Sequence, residues 1–177
     1  MNTDFRELLP EDFDGRSRVW IYQSNRLFTL SEAFQIEELL KNFVVNWNSH
    51  GTPVKGYANL FFGQFVVLIA DESQHGVSGC STDSSVRVIK DIEKIFNVHM
   101  FDRLLLAFIV KERVQMIPMA QLSYALENNF LDENSLYFNN TVQTLDQLRD
   151  DWLIPAKESW LARDQRYAKF FAGVKHS

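Results

Sequence analysis

The sequence predicts an α+β fold, and three observations support this prediction. Apolar residues recur at helical spacing in two long segments, 30–47 and 86–96. Shorter apolar runs that are typical of strands flank and separate these segments. The chain has 177 residues, 46% hydrophobic and 23% charged, which fits one globular domain with an extension.

The first elements follow a polar amino end. Residues 1–16 are predicted to form an irregular leader, and Ser17–Ser24 a short strand. The next segment is the clearest helix in the chain, because Thr29 and Glu32 make a capping box ahead of the apolar periodicity. Gly51 is predicted to terminate this helix, since glycine adopts the left-handed conformation required after the last turn.

The remaining core elements follow in a recognisable order. Residues 54–62 and 64–71 are predicted to form a hairpin that turns at Gly63. A helix over 84–96 follows, with the hydroxyl and carboxyl side chains of 81–84 as candidate caps, and 103–110 is a further strand. The order β-α-β-β-α-β is that of the split, ferredoxin-like sandwich, and we assign it to residues 17–115.

Residues 116–177 are predicted to form a mostly helical C-terminal extension packed on this core, because a segment of that size is marginal as an independent fold. Short helices are expected over 119–129 and 144–152, and the tail from Ala156 is expected to be helical. Trp152 and Trp160 are candidates either for closing the extension onto the core or for binding a partner.

Charge and composition exclude several classes of function. A net charge of −5 argues against nucleic-acid binding, which needs a basic face. The longest apolar run, residues 60–70, is too short to cross a membrane, so no membrane association is expected. A single cysteine excludes an internal disulfide and is typical of a reducing cytoplasm, which is the predicted location.

In a sandwich of this topology, right-handed crossovers bring one set of polar residues to a single edge of the sheet. The loop DESQHGVSGCSTDSS, residues 71–85, lies at that edge. The edge is expected to hold His50, Lys55, Asp71, Glu72, His75, Cys80 and Asp83.

Two kinds of chemistry fit this loop. A thiol at Cys80, next to a helix amino terminus, can act as a nucleophile with His75 or His50 as base. Alternatively, the loop binds a small polar ligand through its hydroxyl, carboxyl and backbone groups. The candidate ligand-binding residues are Asp71, Glu72, Ser78, Gly79, Ser81, Thr82, Asp83 and Lys55.

Structural explanations compete with both. A lone cysteine is often a packing residue, and the hydroxyls of 81–85 are equally typical of helix capping. GVSG departs from the nucleophile-elbow motif because Cys80 replaces its last glycine. Asp71, Glu72 and His75 form a weak candidate cation site, so we assign no metal and no cofactor.

Several stretches of the chain are distinctive: VWIYQSNRLFT, HGTPVKG, DESQHGVSGCSTDSSV, IEKIF, FDRL, FNNTV and WLIP with the following SW. Together they resemble a small family of uncharacterised bacterial proteins often named ABC transporter ATPases. The ATPase name does not fit this chain, which lacks the Walker lysine loop and in which SGCS does not match the ABC signature. The resemblance therefore implies no catalytic residue.

These observations favour a small cytoplasmic binding or regulatory module with a polar ligand site at residues 71–85. The alternative is a cysteine-dependent enzyme that uses Cys80. A homodimer is also expected, by analogy with the association of other ferredoxin-like sheets.

Overall fold

The structure, a computed structural model, describes residues 1–73 and 79–172. Its helices and strands, in chain order, are β1 (Arg18–Gln23), α1 (Leu30–Val45), β2 (Asn48–Ser49), β3 (Thr52–Pro53), β4 (Lys55–Phe61), β5 (Phe65–Asp71), α2 (Gly79–Phe96), β6 (Leu105–Val110), β7 (Arg113–Pro118), α3 (Leu122–Glu127), β8 (Leu136–Phe138), α4 (Leu145–Asp151) and β9 (Leu153–Pro155). The described helices include none that is long and apolar enough to cross a membrane.

The chain divides into two compact units, and the division differs from the predicted one. The N-terminal unit comprises Asn2–Asp102 and Val142–Arg149. The C-terminal unit comprises Met1, Arg103–Thr141 and the chain from Asp150 onward. The boundary therefore falls at residue 103 rather than 116, and one short segment of the predicted extension belongs to the first unit.

The N-terminal unit contains a three-stranded antiparallel sheet in the order β1-β5-β4. Both long helices pack on one face of this sheet, where Val66, Leu68 and Ala70 of β5 join one cluster with residues of α1 and α2. Trp47, which follows α1, is 2% exposed and belongs to this core, as its place in the helical periodicity predicts.

The capping box of α1 is present as predicted, but the helix ends earlier than expected. The Thr29 hydroxyl accepts a hydrogen bond from the Glu32 amide, and the Glu32 carboxylate accepts one from the Thr29 amide. The helix ends at Val45, and Gly51 instead lies in the turn between β2 and β3. His50 and Gly51 both have positive φ there, as a two-residue hairpin turn requires.

The opposite face of the sheet is covered by the amino end of the chain. Phe5 and Leu9 are buried, and Phe5 makes an edge-to-face contact with Phe61 of β4. The Tyr57 hydroxyl donates a hydrogen bond to the Leu8 carbonyl. The predicted leader is thus part of the folded unit, with a short 3-10 helix over Arg6–Leu8.

The segment 142–149 completes the N-terminal unit along the outer edge of β1. The Val19 amide donates to the Gln143 carbonyl, and the Leu145 amide donates to the Ser17 carbonyl, both at 2.9 Å. Leu145 and Leu148 are fully buried. A segment distant in sequence therefore supplies hydrogen bonds and apolar contact area that the first 102 residues lack.

The ferredoxin-like topology is not confirmed. The first three sheet strands have the expected order, but the predicted fourth strand, β6, pairs with β7 and β8 in a separate four-stranded sheet of order β7-β6-β8-β9. β7 follows β6 after a tight turn at Lys111 and Glu112, both with positive φ. A hairpin between adjacent strands needs only a short loop closure, which favours this local pairing.

The C-terminal unit has its own core and is less helical than predicted. Phe108 and Tyr137 pack in a cluster with Leu122 of α3 and with residues of the tail. Beyond β9 the described tail forms three short 3-10 turns rather than a helix. Trp152 is fully buried and donates to Asn140, while Trp160 donates to the Tyr137 hydroxyl, so both indoles have structural contacts within this unit.

Candidate functional site

Three strands of the N-terminal unit bring polar residues to one end of its sheet. β1 and β4 begin at this end and β5 terminates there, because Arg18 pairs with Ala70 and Lys55 pairs with Asp71. We call this end, with the amino end of the chain that lies on it, the candidate edge. The expected juxtaposition of Lys55 and Asp71 is observed.

Lys55 forms a close network at the candidate edge. Its ammonium nitrogen lies 3.3 Å from one carboxylate oxygen of Asp71 and 3.3 Å from one of Asp12. It also donates to the Asp12 carbonyl at 2.6 Å and lies 4.7 Å from the centre of the Phe13 ring. Lys55 therefore joins the sheet to residues 12 and 13, and its charge is neutralised within the molecule.

Asp71 is the buried member of this network, with a side chain only 4% exposed. Its carboxylate accepts hydrogen bonds from the backbone amides of Ser73, at 2.9 Å, and Asp14, at 3.4 Å. Burial by itself raises the pKa of Asp71, but the hydrogen bonds from Ser73 and the Lys55 ammonium outweigh it and lower the pKa to about 2. The carboxylate is therefore charged and satisfied from several sides.

Arg16, another cation near this end of the sheet, is also paired within the chain. Its guanidinium donates to both oxygens of Asp14 at 3.1 and 3.2 Å. This hydrogen bonding lowers the pKa of Asp14 and raises that of Arg16. Lys55 and Arg16 are thus both matched by aspartates, whereas Arg18, the first residue of β1, is exposed and lies over the Trp20 ring.

Two polar atoms near the candidate edge are buried and have no hydrogen-bond partner among the described residues: Oε1 of Glu72 and Oγ of Ser17. Glu72 directly follows β5, and Ser17 directly precedes β1. Buried polar atoms without partners are uncommon in native proteins, and the Trp47 indole nitrogen in the core is a further one. Glu72 was a predicted site residue.

Ser17, Asp12 and Asp14 were not predicted as site residues. The position of Ser17 follows from the pairing of β1 with β5. Arg18 pairs with Ala70, so Ser17, one residue earlier, lies opposite Asp71. The roles of Asp12 and Asp14 depend on how residues 10–16 fold back onto the sheet, and no periodic pattern in the sequence reports this.

The candidate loop leads into α2 earlier than expected. α2 begins at Gly79, so Cys80, Ser81, Thr82 and Asp83 lie in its first two turns rather than before it as caps. The first four amides of a helix, here those of 79–82, have no partner inside it. The side chain of Asp83 is exposed and that of Thr82 is half-buried.

Ser85, one turn further along α2, has a structural role. Its hydroxyl is buried, donates to the Thr82 carbonyl at 2.7 Å and lies 3.0 Å from the Tyr22 hydroxyl. Burial raises the pKa of Tyr22, so this phenol is a neutral donor to Ser85. These contacts fix the start of α2 against β1.

The cysteine hypothesis concerns Cys80 with His75 or His50. His75 and Ser78 lie outside the described residues, as do the side chains of Cys80 and Ser81. His50 lies at the tip of the β2–β3 hairpin. Across residues 1–73 and 79–172, no group of three or more His, Cys, Asp or Glu side chains is placed to hold a metal ion.

Comparison of the chain with models of protein families, with curated proteins and with solved structures gave no match.

Proposed function

We propose that this protein is a small binding or regulatory module whose ligand is polar and binds between Glu72 and the amino end of α2. The observation that supports the proposal most directly is the buried Oε1 of Glu72, which has no hydrogen-bond partner among the described residues. A buried, unpaired carboxylate oxygen destabilises a protein, and ligand sites are places where such a cost is retained.

The chemistry of the proposed site defines the class of ligand. The Glu72 carboxylate offers an acceptor, and the first four amides of α2, from Gly79 to Thr82, offer donors. Lys55 and Arg16 are neutralised by Asp12, Asp71 and Asp14. A ligand that carries both a donor, such as a hydroxyl or amine, and a weak acceptor therefore fits better than a multiply charged anion.

Thermal shift tests this proposal. The full chain is heated with amino alcohols, amino acids, nucleosides and, as the anionic alternative, inorganic phosphate. A ligand that binds only the folded state raises the melting temperature by mass action. We expect a shift with at least one compound of the donor-bearing classes.

Two variants locate the binding. Glu72→Gln removes the carboxylate with little change of shape and is expected to abolish the shift, whereas Glu11→Gln, at an exposed glutamate of the same unit, is the matched control. Phosphate as the only stabiliser, or an equal shift in the Glu72→Gln variant, contradicts the proposed site.

The cysteine-dependent enzyme remains the second candidate, because Cys80 lies in the first turn of an 18-residue helix. The helix dipole at that position favours a thiolate. The rate of alkylation by iodoacetamide as a function of pH tests it. A titration well below the ordinary thiol pKa of about 8.5 favours the enzyme, and an inaccessible or ordinary thiol contradicts it.

The resemblance to the bacterial family often named ABC transporter ATPases stays a prediction, as does the cytoplasmic location. Neither adds a residue to the site. Both are compatible with a binding module, and the proposal rests on Glu72 and the amino end of α2.

A further inference from the structure

The outer edge of β4 presents unused backbone groups beyond Val54, whose amide donates to the Trp47 carbonyl at 2.9 Å. The Ser24 amide donates to the Gln64 carbonyl, so alternate β5 residues from Gln64 onward direct their backbone groups toward β1. The other alternate residues of β5 direct their backbone groups toward β4. They are Phe65, Val67, Ile69 and Asp71, which lie opposite Phe61, Asn59, Tyr57 and Lys55. The backbone groups of Gly56, Ala58 and Leu60 therefore face away from the sheet.

Only one of these outward amides has a partner among the described residues. The Leu60 amide donates to the side chain of Asn59 at 2.8 Å. No hydrogen bond within the described residues joins Gly56 or Ala58 to another group on that side. An edge with unpaired backbone groups is a template for another strand.

A second feature lies above the same edge. α1 packs over β4, and its Glu32 side faces α2, because Arg26 bonds both the Glu32 carboxylate and the carbonyl of Phe96. At 3.6 residues per turn, Leu30, Phe34 and Val45 lie on the side of α1 opposite Glu32. These three side chains are 74%, 60% and 81% exposed.

The spacing of this stripe matches a second, antiparallel copy of itself. In a twofold arrangement about the middle of α1, Leu30 faces the Val45 of the other copy. Phe34 faces Lys41 of the other copy, which can lie with its aliphatic stem and ammonium over the ring. On β4, the same twofold axis passes Ala58, so that two Ala58 residues exchange backbone hydrogen bonds and Gly56 lies opposite Leu60.

We infer that this protein forms a twofold dimer through antiparallel pairing of its β4 strands, which joins the two sheets into one of six strands with the order β1-β5-β4-β4-β5-β1. The α1 helices then cover the junction, each burying Leu30, Phe34 and Val45 against the other. The hydrogen-bonded edge sets the register, and the apolar stripe provides the buried area that an isolated strand pair lacks.

Sedimentation velocity of the full chain, from micromolar to near-millimolar concentration, measures the association. Ala58→Pro removes an outward amide without removing a hydrogen bond to β5, and Phe34→Glu places a charge in the stripe. Each is expected to weaken the dimer by at least about tenfold. Tyr124→Glu, which changes an aromatic side chain 71% exposed on α3, is the control and leaves association unchanged.

Cross-linking tests the register independently. In a Cys80→Ser background, Ala58→Cys places two thiols at facing positions whose Cα atoms are about 5.5 Å apart, within the range of a disulfide. We expect oxidation to link the chains through residue 58, whereas Tyr124→Cys in the same background gives no dimer-specific link. A chain that stays monomeric at every concentration, or a dimer unaffected by both Ala58→Pro and Phe34→Glu, overturns the inference.

Discussion

At the scale of single residues, the candidate edge contains two adjacent acidic residues, Asp71 and Glu72, that differ in their hydrogen bonding. The Asp71 carboxylate is buried and fully engaged by Lys55 and by backbone amides. The neighbouring Glu72 has one oxygen buried without a partner among the described residues. Asp71 therefore holds the structure together, and we propose Glu72 for binding, although the sequence suggested both as ligand-binding residues.

Asp71 makes the stability of the N-terminal unit depend on pH. Its pKa is lowered from 3.8 to about 2 in the folded state, so the folded form binds its proton more weakly than the unfolded form. The resulting stabilisation, about 2 kcal/mol, is complete above pH 4 and is lost as the pH falls from about 4 to 2. Urea unfolding across this range measures it.

The variant Asp71→Asn isolates this effect. It is expected to lower the unfolding free energy at pH 7 by about 1–3 kcal/mol and to make the loss of stability between pH 4 and 2 less steep. Asp91→Asn, at an exposed position on α2, serves as control. Equal steepness in the Asp71→Asn variant and the parent chain contradicts the assigned role.

Substitution of Glu72 is expected to change the unfolding free energy in the opposite direction from substitution of Asp71. Because its buried oxygen has no partner among the described residues, Glu72→Gln removes a carboxylate whose desolvation is not repaid there, and it is expected to raise the unfolding free energy by up to about 1 kcal/mol in the absence of ligand. Chemical denaturation at neutral pH measures the change. A loss above about 1 kcal/mol indicates that Glu72 has a structural partner, which argues against its availability to a ligand.

At the scale of elements, short sequence motifs correctly predicted helix starts and hairpin turns, because neighbouring residues determine these features. The capping box at Thr29 and Glu32 fixes the start of α1, and the hairpin turns at Gly63 with a positive φ. The end of α1 was mispredicted, because Gly51 satisfies a helix terminus and a two-residue turn equally well. Pairing of Asn48 with Pro53 decides between them, and a helical pattern does not report that pairing.

The start of α1 gives a direct measurement. Thr29→Ala removes the hydroxyl that accepts from the Glu32 amide. The expected loss is about 1 kcal/mol of unfolding free energy. Thr29→Ser, which keeps the hydroxyl, should lose much less, and equal losses in the two variants contradict a capping role.

Gly56 couples β4 to α1. A Cβ at this position overlaps the Trp47 ring, which lies directly over the strand. Gly56→Val therefore forces the indole out of its site and is expected to cost about 1–3 kcal/mol, the range typical of overpacking. Tryptophan fluorescence together with urea unfolding checks the result. An unchanged stability contradicts close packing of Trp47 on β4.

At the scale of the whole molecule, the sequence predicted a mixed α and β chain but misassigned its parts. β6 has the composition of a buried strand, and the split sandwich needs a fourth strand at that point in the order. Whether it joins the first sheet or pairs with β7 and β8 depends on residues up to 138, whose pairing is not visible in any local pattern. The inclusion of 142–149 in the N-terminal unit depends on long-range contacts in the same way.

That inclusion predicts the behaviour of fragments. A fragment ending at Asp102 lacks Gln143 and Leu145, which bond to Val19 and Ser17 along β1. It also exposes the surface that Leu145 and Leu148 cover. We expect the fragment to lack a cooperative unfolding transition, measured by near-ultraviolet circular dichroism. A transition as cooperative as that of the full chain contradicts the division into units.

The central claim is that Glu72 and the amino end of α2 form a polar ligand site. Titration of the ¹⁵N-labelled chain with the strongest stabiliser from the thermal-shift panel tests it most directly. We predict saturable shifts of the amides of residues 72 and 79–82 that are absent in the Glu72→Gln variant. Shifts confined to residues other than 72 and 79–82, or unchanged by that substitution, contradict the account.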